Sequence, residues 1–397
     1  MLNLNKDKKK LFDIIIMLPF IWAFTGLFLY PSGKKLIVIL VLLSAITSTL
    51  SYGLKSIWTN ITTNKLLWLL GAYSVFALMA KSYYGYSSSL MRALIAIFVL
   101  FATFPTALVP KVNIKLLIVI GSVTCLTYVL LETYIFHHGR AWSINPIPYA
   151  TFIASLSILA FHFLLESKTL KSATLWLSVF IVAAIPLLYS QSRGLWLALL
   201  IMMTILIIKQ CFSGKKKSYL IVPFLLASAI AYHFSEDKIM QRIEQTKQEI
   251  QHIEKGELNT SIGLRLQMWK TAVILAQESP LIGLGDKHII RKKLLAKQKL
   301  ISPKIVNFTH YHNQFLSDLV KYGIVGFMLL LMSILLPSYY LLKRRSNYTW
   351  PGMLIISIFV IASLTDMPFQ HAQTLTIYFF FLYIFTSQSH NLNQEAQ

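Results

Sequence analysis

Apolar runs broken by short polar stretches follow one another from Leu11 to about residue 387. Each is about 15–22 residues long, the length a helix needs to cross a hydrocarbon core of about 30 Å. Polar and apolar positions do not alternate strictly, so barrel strands are not indicated. The bilayer leaves no backbone polar group unsatisfied, and helices are the remaining solution. Spans are predicted near 12–30, 35–52, 66–80, 90–108, 114–135, 148–165, 174–190, 195–210, 218–233, 315–342, 350–367 and 371–387.

The pattern predicts an all-α polytopic membrane protein with about twelve transmembrane helices. It divides into an N-terminal membrane part (1–233, about nine helices), one long loop (234–314) and a C-terminal part (315–397, about three helices and a short tail). Within the loop, Glu236 to Gly256 is polar with Ile239, Ile243, Ile250 and Ile253, which suits a surface amphipathic helix. Ile262 to Gln277 predicts a second helix, ended by Glu278-Ser279-Pro280. Lys287 to Lys299 combines apolar positions with six basic residues.

Composition agrees with this reading. Hydrophobic residues make up 56% and charged residues 13%, about half the charge of a soluble chain. The two cysteines, Cys125 and Cys211, predict neither a disulfide framework nor a metal cluster. The net charge of +22 accompanies no nucleic-acid module, so it reads as an orientation signal and contact with anionic membrane lipids. Lys6, Lys8, Lys9 and Lys10 precede Leu11 without a small-residue cleavage site, which predicts an uncleaved first span. With twelve spans, the loops on the N-terminal side carry seventeen Lys and Arg, among them Lys215, Lys216 and Lys217. The short loops opposite carry six, among them Arg140. The termini are therefore expected in the cytoplasm of a bacterial inner membrane, with the long loop facing the periplasm.

Candidate chemistry gathers at that outer face. Arg193, in Gln191-Ser192-Arg193-Gly194, stands where one span returns as the next. A helix N-terminus and a guanidinium together favour a phosphate, although a snorkelling arginine or a loop cap fits the same position. Arg265, in Gly263-Leu264-Arg265-Leu266-Gln267-Met268-Trp269, shares a helix face with Trp269; it reads as a second phosphate ligand or as an arginine stacked on the indole. His312 opens the tenth span and shares a face with Leu316 and Val320. The positive end of the helix dipole keeps its ring neutral, as a general base requires, and a capping histidine is the other reading. His310 is a loop neighbour or substrate contact, and Asn313 a possible support. Asp366 would orient His312, contact sugar hydroxyls or cap a helix. Asp318 is expected to pair with Lys321, and Glu132 and Glu166 to be solvated at span ends. A metal pair of His310 and His312 lacks helical spacing and carboxylates, so no metal site is expected. There is no paired-carboxylate arrangement on the outer face and no phosphate-binding glycine loop, so the energy must arrive with the substrate.

These phrases resemble the O-antigen ligase and polymerase superfamily of bacterial surface-polysaccharide enzymes. The matching parts are Ser192-Arg193-Gly194 with Trp196, Gly263-Leu264-Arg265 with Met268-Trp269, Pro280 to Gly285, and His312-Asn313 with Gly323 and Gly326. The resemblance implies an O-antigen ligase: a glycosyltransferase that passes O-antigen from undecaprenyl diphosphate to the lipid A-core, inverting the anomeric centre without metal or ATP. It implies diphosphate binding by Arg193 and Arg265 and a catalytic base at His312. The basic stretch containing Lys292, Lys293 and Lys297 would dock the acceptor's phosphates, or ordinary anionic headgroups. The rivals are an O-antigen polymerase, a protein O-oligosaccharyltransferase, and, from another class, a flippase or transporter. A transporter predicts internal repeats and ionisable groups at mid-membrane.

Overall fold

The computed structural model describes residues 6–30, 32–138, 142, 144–212 and 236–395. Every regular element among them is helical. They are α1 (Lys6–Phe24), α2 (Gly26–Leu29), α3 (Gly33–Thr63), α4 (Lys65–Tyr83), α5 (Ser88–Thr103), α6 (Ile114–Leu130), α7 (Pro146–Glu166), α8 (Leu170–Ser190) and α9 (Arg193–Phe212). After the gap come α10 (Glu236–Glu254), α11 (Ser261–Glu278), α12 (Lys287–Lys297), α13 (Gln314–Arg344), α14 (Thr349–Thr365) and α15 (Ala372–Glu395). Helices occupy every predicted span except 218–233, which lies outside the described residues, as do Arg140 and Lys215, Lys216 and Lys217. Among the described residues, seven helices are long and apolar enough to cross a membrane, and α5 and α14 are shorter apolar helices.

Helix α7 is the centre of the bundle, buried along almost its whole length and packed against α8, α9 and α14. Between apolar helices in lipid, close packing and hydrogen bonds replace the hydrophobic effect as the adhesive force. Both are present. Phe28 stacks on Phe152 with centroids 4.5 Å apart, and Phe101 stacks on Tyr383 at 4.0 Å. Side chains also donate to carbonyls on other helices: Ser44 to Ile16 at 2.9 Å and Tyr378 to Ser333 at 2.8 Å. Glu132, expected to be solvated, is 3% exposed and pairs with His138 at 2.6 Å. The π-helical turn Leu131–Ile135 at the end of α6 tucks its carboxylate inward.

The feature that places the loop helices is a break in α13. Gly323 has φ 61 and ψ −162, which frees the carbonyls before it and the amides after it. The stretch Pro280–Gly285 fills that vacancy. Leu284 N donates to Val320 O (2.8 Å) and Gly285 N to Lys321 O (2.9 Å), while Ile324 N donates to Pro280 O (2.8 Å) and Val325 N to Leu281 O (3.2 Å). Backbone freed inside a span must find partners, and here a neighbouring segment supplies all four. The two backbones lie so close that a Cβ on Gly323 would sit 2.4 Å from the Leu281 carbonyl. On the far side, Asp286 N donates to Tyr84 O at 3.0 Å, tying the same stretch to the end of α4.

Gly323→Ala should therefore be strongly destabilising. The left-handed backbone alone costs roughly 1–3 kcal/mol, and the clash with Leu281 adds to it. Gly71→Ala, whose new methyl meets only Phe98 at 3.4 Å, should be neutral or slightly stabilising. Thermal unfolding in detergent reads both, and equal melting temperatures would refute the role given to the break.

Candidate functional site

The turn between α8 and α9 is built by three local devices. Gln191 ends α8 in the left-handed conformation (φ 52), with its N–H on Leu188 O. Ser192 O accepts the first amides of α9, from Leu195 and Trp196. The Trp196 indole then donates back to Leu187 O at 2.8 Å. A Cβ on Gly194 would lie 2.4 Å from Thr365 Oγ1, so this position lets the turn meet the end of α14. Arg193 is left exposed as the first residue of α9, donating to Thr246 Oγ1 of α10 at 3.1 Å.

Helix α11 is capped by Thr260, whose hydroxyl accepts from Gly263 N at 3.1 Å. Gly263 is required by crowding, since a Cβ there would meet Leu258 O at 2.7 Å. One turn on, Arg265 projects into the cavity that Arg193 also lines. This cavity holds about 190 Å³ and is walled by Ser192, Arg193, Ser261, Arg265, Thr365 and Asp366, with Thr151 of α7 at its side. Two arginines from distant parts of the chain thus share one polar chamber at one end of the bundle. Ser192 belongs to a phrase singled out in the sequence, whereas Thr151, Ser261 and Thr365 carry no recognisable signal there.

The histidines stand beside Arg265. Trp269, one turn after Arg265, donates to Tyr311 O at 3.0 Å, which fastens α11 to the segment His310-Tyr311-His312. Tyr311 is fully buried and its hydroxyl meets His288 Nδ1 at 3.0 Å. The rings of His310 and His312 meet edge to face, 4.2 Å apart at 89°, and the Nδ1 of each is buried without a partner. Burial pushes His312 down to about 3, with help from His310 and Arg265. His310 falls to about 4, by burial and then by Lys321, Lys292 and Arg265. Both rings are neutral at physiological pH. His312 does not line the arginine chamber; Arg265 is the link, since it lines the chamber and its charge acts on His312.

Several expectations are corrected. His312 does not open a helix: it is left-handed (φ 47), and α13 starts at Gln314 with Asn313 as its cap. Its neutrality therefore comes from burial and nearby positive charge. Asn313 Oδ1 accepts from Leu316 N (3.1 Å) and its Nδ2 donates to Leu364 O (3.2 Å), so it joins α13 to the end of α14. Lys292 is fully buried, with its ammonium on the carbonyls of Ile305 and Phe308 and 5.3 Å from the centre of the Tyr311 ring. It braces the histidine segment from inside and cannot meet an acceptor at the surface. Burial, then Lys321, pushes its ammonium down to about 8. Lys293 and Lys297 are exposed. Asp318 accepts from the amides of Gln314 and Gln370, both at 2.8 Å, while Lys321 donates to Gln370 Oε1 at 3.1 Å. The expected ion pair is thus replaced by a chain through Gln370. Nothing in the sequence marked Gln370.

Asp366 caps the end of α14 and accepts from Met367 N at 2.8 Å. Burial raises its carboxyl to about 6, opposed by that amide and by Arg265. It faces the arginine chamber.

Asn313→Ala should cost about 1 kcal/mol, the usual loss of a helix cap, and lower the melting temperature. Asn313→Ser, which can still cap, should recover most of it. Equal stability of the Ala variant and the parent would remove the capping role.

A curated relative, an uncharacterised protein of Haemophilus influenzae, is 31% identical over 201 residues, 49% of this chain and 50% of the relative. The match thus spans about half the length of the curated relative. The family described as O-antigen ligase matches residues 178–331, a stretch that contains Arg193, Arg265 and His312. Residues 178–331 are therefore similar to the O-antigen ligase family, and their described helices include three long and apolar enough to cross a membrane.

Proposed function

We propose that this protein is an O-antigen ligase of a bacterial inner membrane. It would move O-antigen polysaccharide from undecaprenyl diphosphate to the lipid A-core at the periplasmic face. The observation that carries this reading is the shared chamber of Arg193 and Arg265 beside the neutral ring of His312. Two guanidinium groups suit a diphosphate, which each can grip through paired hydrogen bonds.

In this mechanism the acceptor sugar hydroxyl gives its proton to a free ring nitrogen of His312. Its oxygen forms a bond to the anomeric carbon from the face opposite the leaving group. The bond from that carbon to the diphosphate oxygen breaks, and the electron pair leaves with the diphosphate, stabilised by Arg193 and Arg265. Attack from the opposite face inverts the anomeric centre. A positioned base is typically worth ~10²–10⁴ in rate, and charge stabilisation of a leaving group can be comparable. Lys293 and Lys297, exposed on α12, would meet phosphates of the acceptor core. Lys292 plays no part in that docking.

The test is a deletion strain and its lipopolysaccharide on a gel. A ligase predicts loss of all polymer-bearing bands with lipid-linked polymer accumulating. Core bearing a single repeat would identify a polymerase instead, and unchanged bands would reject both. Complementation with His312→Ala, Arg193→Ala or Arg265→Ala should lower transfer at least ~100-fold at unchanged protein level. A fully active His312→Ala protein would end the base assignment. Reversing Lys293 and Lys297 to Glu should weaken ligation to phosphorylated core more than to dephosphorylated core, and equal losses would reject acceptor docking.

A further inference from the structure

A second cavity, of about 270 Å³, opens at the other end of the bundle and has no part in the reading above. The ends are distinguished by α13. Its Gln314 accepts from Phe369 N near the arginine chamber, whereas its Leu341 O accepts from the Thr349 hydroxyl at the far end. The far cavity is lined by Asn60, Lys65, Tyr339, Tyr340, Lys343 and Arg344, over an apolar floor that includes Leu66, Val109 and Pro337.

Three cations face this space, and no Asp or Glu is among its described lining residues. Two of the cations contact neutral groups. Lys343 Nζ donates to Tyr339 OH at 3.2 Å, and Arg344 donates to Thr386 O at 2.5 Å while lying 5.3 Å from the Tyr340 ring centre. Lys65 begins α4, just past the Asn64 side chain that caps Leu66 N. Asn60 supplies an independent observation. It is 3% exposed and spends its Nδ2 on the carbonyls of Ala102 (3.0 Å) and Phe104 (2.8 Å), leaving Oδ1 buried without a partner. A buried acceptor in that state calls for a donor.

We propose that this cavity binds the headgroup of an anionic phospholipid that also carries hydroxyls, with phosphatidylglycerol as the chemical type. The phosphate sits among Lys65, Lys343 and Arg344, a headgroup hydroxyl donates to Asn60 Oδ1, and the glycerol backbone with its first methylenes covers the apolar floor. A free phosphate ion would satisfy the cations and leave that floor uncovered. The site is structural: it joins the α3–α4 corner to the ends of α13 and α15. It is independent of the sugar-transfer reading.

Native mass spectrometry of the purified full chain tests it, with phosphatidylglycerol, phosphatidylcholine, phosphatidylmethanol or inorganic phosphate added in turn. Phosphatidylglycerol should be retained at concentrations at least ~5-fold below those needed for phosphatidylcholine. Phosphatidylmethanol, equally charged but lacking the hydroxyls, should fall between them. Lys65→Gln with Lys343→Gln should lose about 5-fold in affinity per cation, and Lys343→Gln alone one such step should the double variant not fold. Equal retention of phosphatidylglycerol and phosphatidylcholine by the parent protein would overturn the proposal. So would unchanged binding in the variant, or displacement of the lipid by millimolar inorganic phosphate.

Discussion

The break at Gly323 is the constraint on which the rest of the arrangement depends. A helix interrupted inside an apolar bundle exposes backbone groups that lipid cannot satisfy. Pro280–Gly285 supplies the missing partners on both sides of the break. That exchange fixes the end of α11 and the beginning of α12 against the bundle. Once α11 is fixed, Arg265 is set opposite the α8–α9 turn, and Trp269 can hold the Tyr311 carbonyl. Glycine is needed on both partners because the backbones approach too closely for a Cβ.

Electrostatics at the chamber divides labour between exposure and burial. Arg193 is exposed and Arg265 only partly covered, so both can reach an anion. The histidines are covered and lie near cations, two effects that both oppose protonation. Under the proposed transfer, the neutral imidazole would take the acceptor's proton while the guanidinium groups stabilise the departing diphosphate. Lys292 shows the same physics in a structural role. Its buried ammonium is tolerated because it satisfies two loop carbonyls and faces an aromatic ring, and it thereby braces the segment that carries His310 and His312.

Among the described residues of the helix bundle, many side chains donate hydrogen bonds to carbonyls. Ser44, Asn60, Tyr378 and Gln388 each reach the backbone of another segment. Such bonds lock register between helices whose apolar surfaces would otherwise slide. Aromatic pairs around Phe20, Phe101, Phe104 and Tyr383 fill the space between α1, α5 and α15.

The sequence by itself determined the helical class, the intervals of nearly all the described helices and the phrases in which the candidate site residues occur. Run length and the Glu278-Ser279-Pro280 stop are local quantities, so they can be read from neighbouring residues. Only the tertiary structure decided which of those residues meet. It brought Arg193 and Arg265 to one chamber and withdrew Lys292 from the surface. It moved His312 off the helix and joined Asp318 to Gln314 and Gln370 instead of Lys321. Charge state and partner choice depend on burial and on atoms far away along the chain, and a linear pattern of polar and apolar positions carries neither.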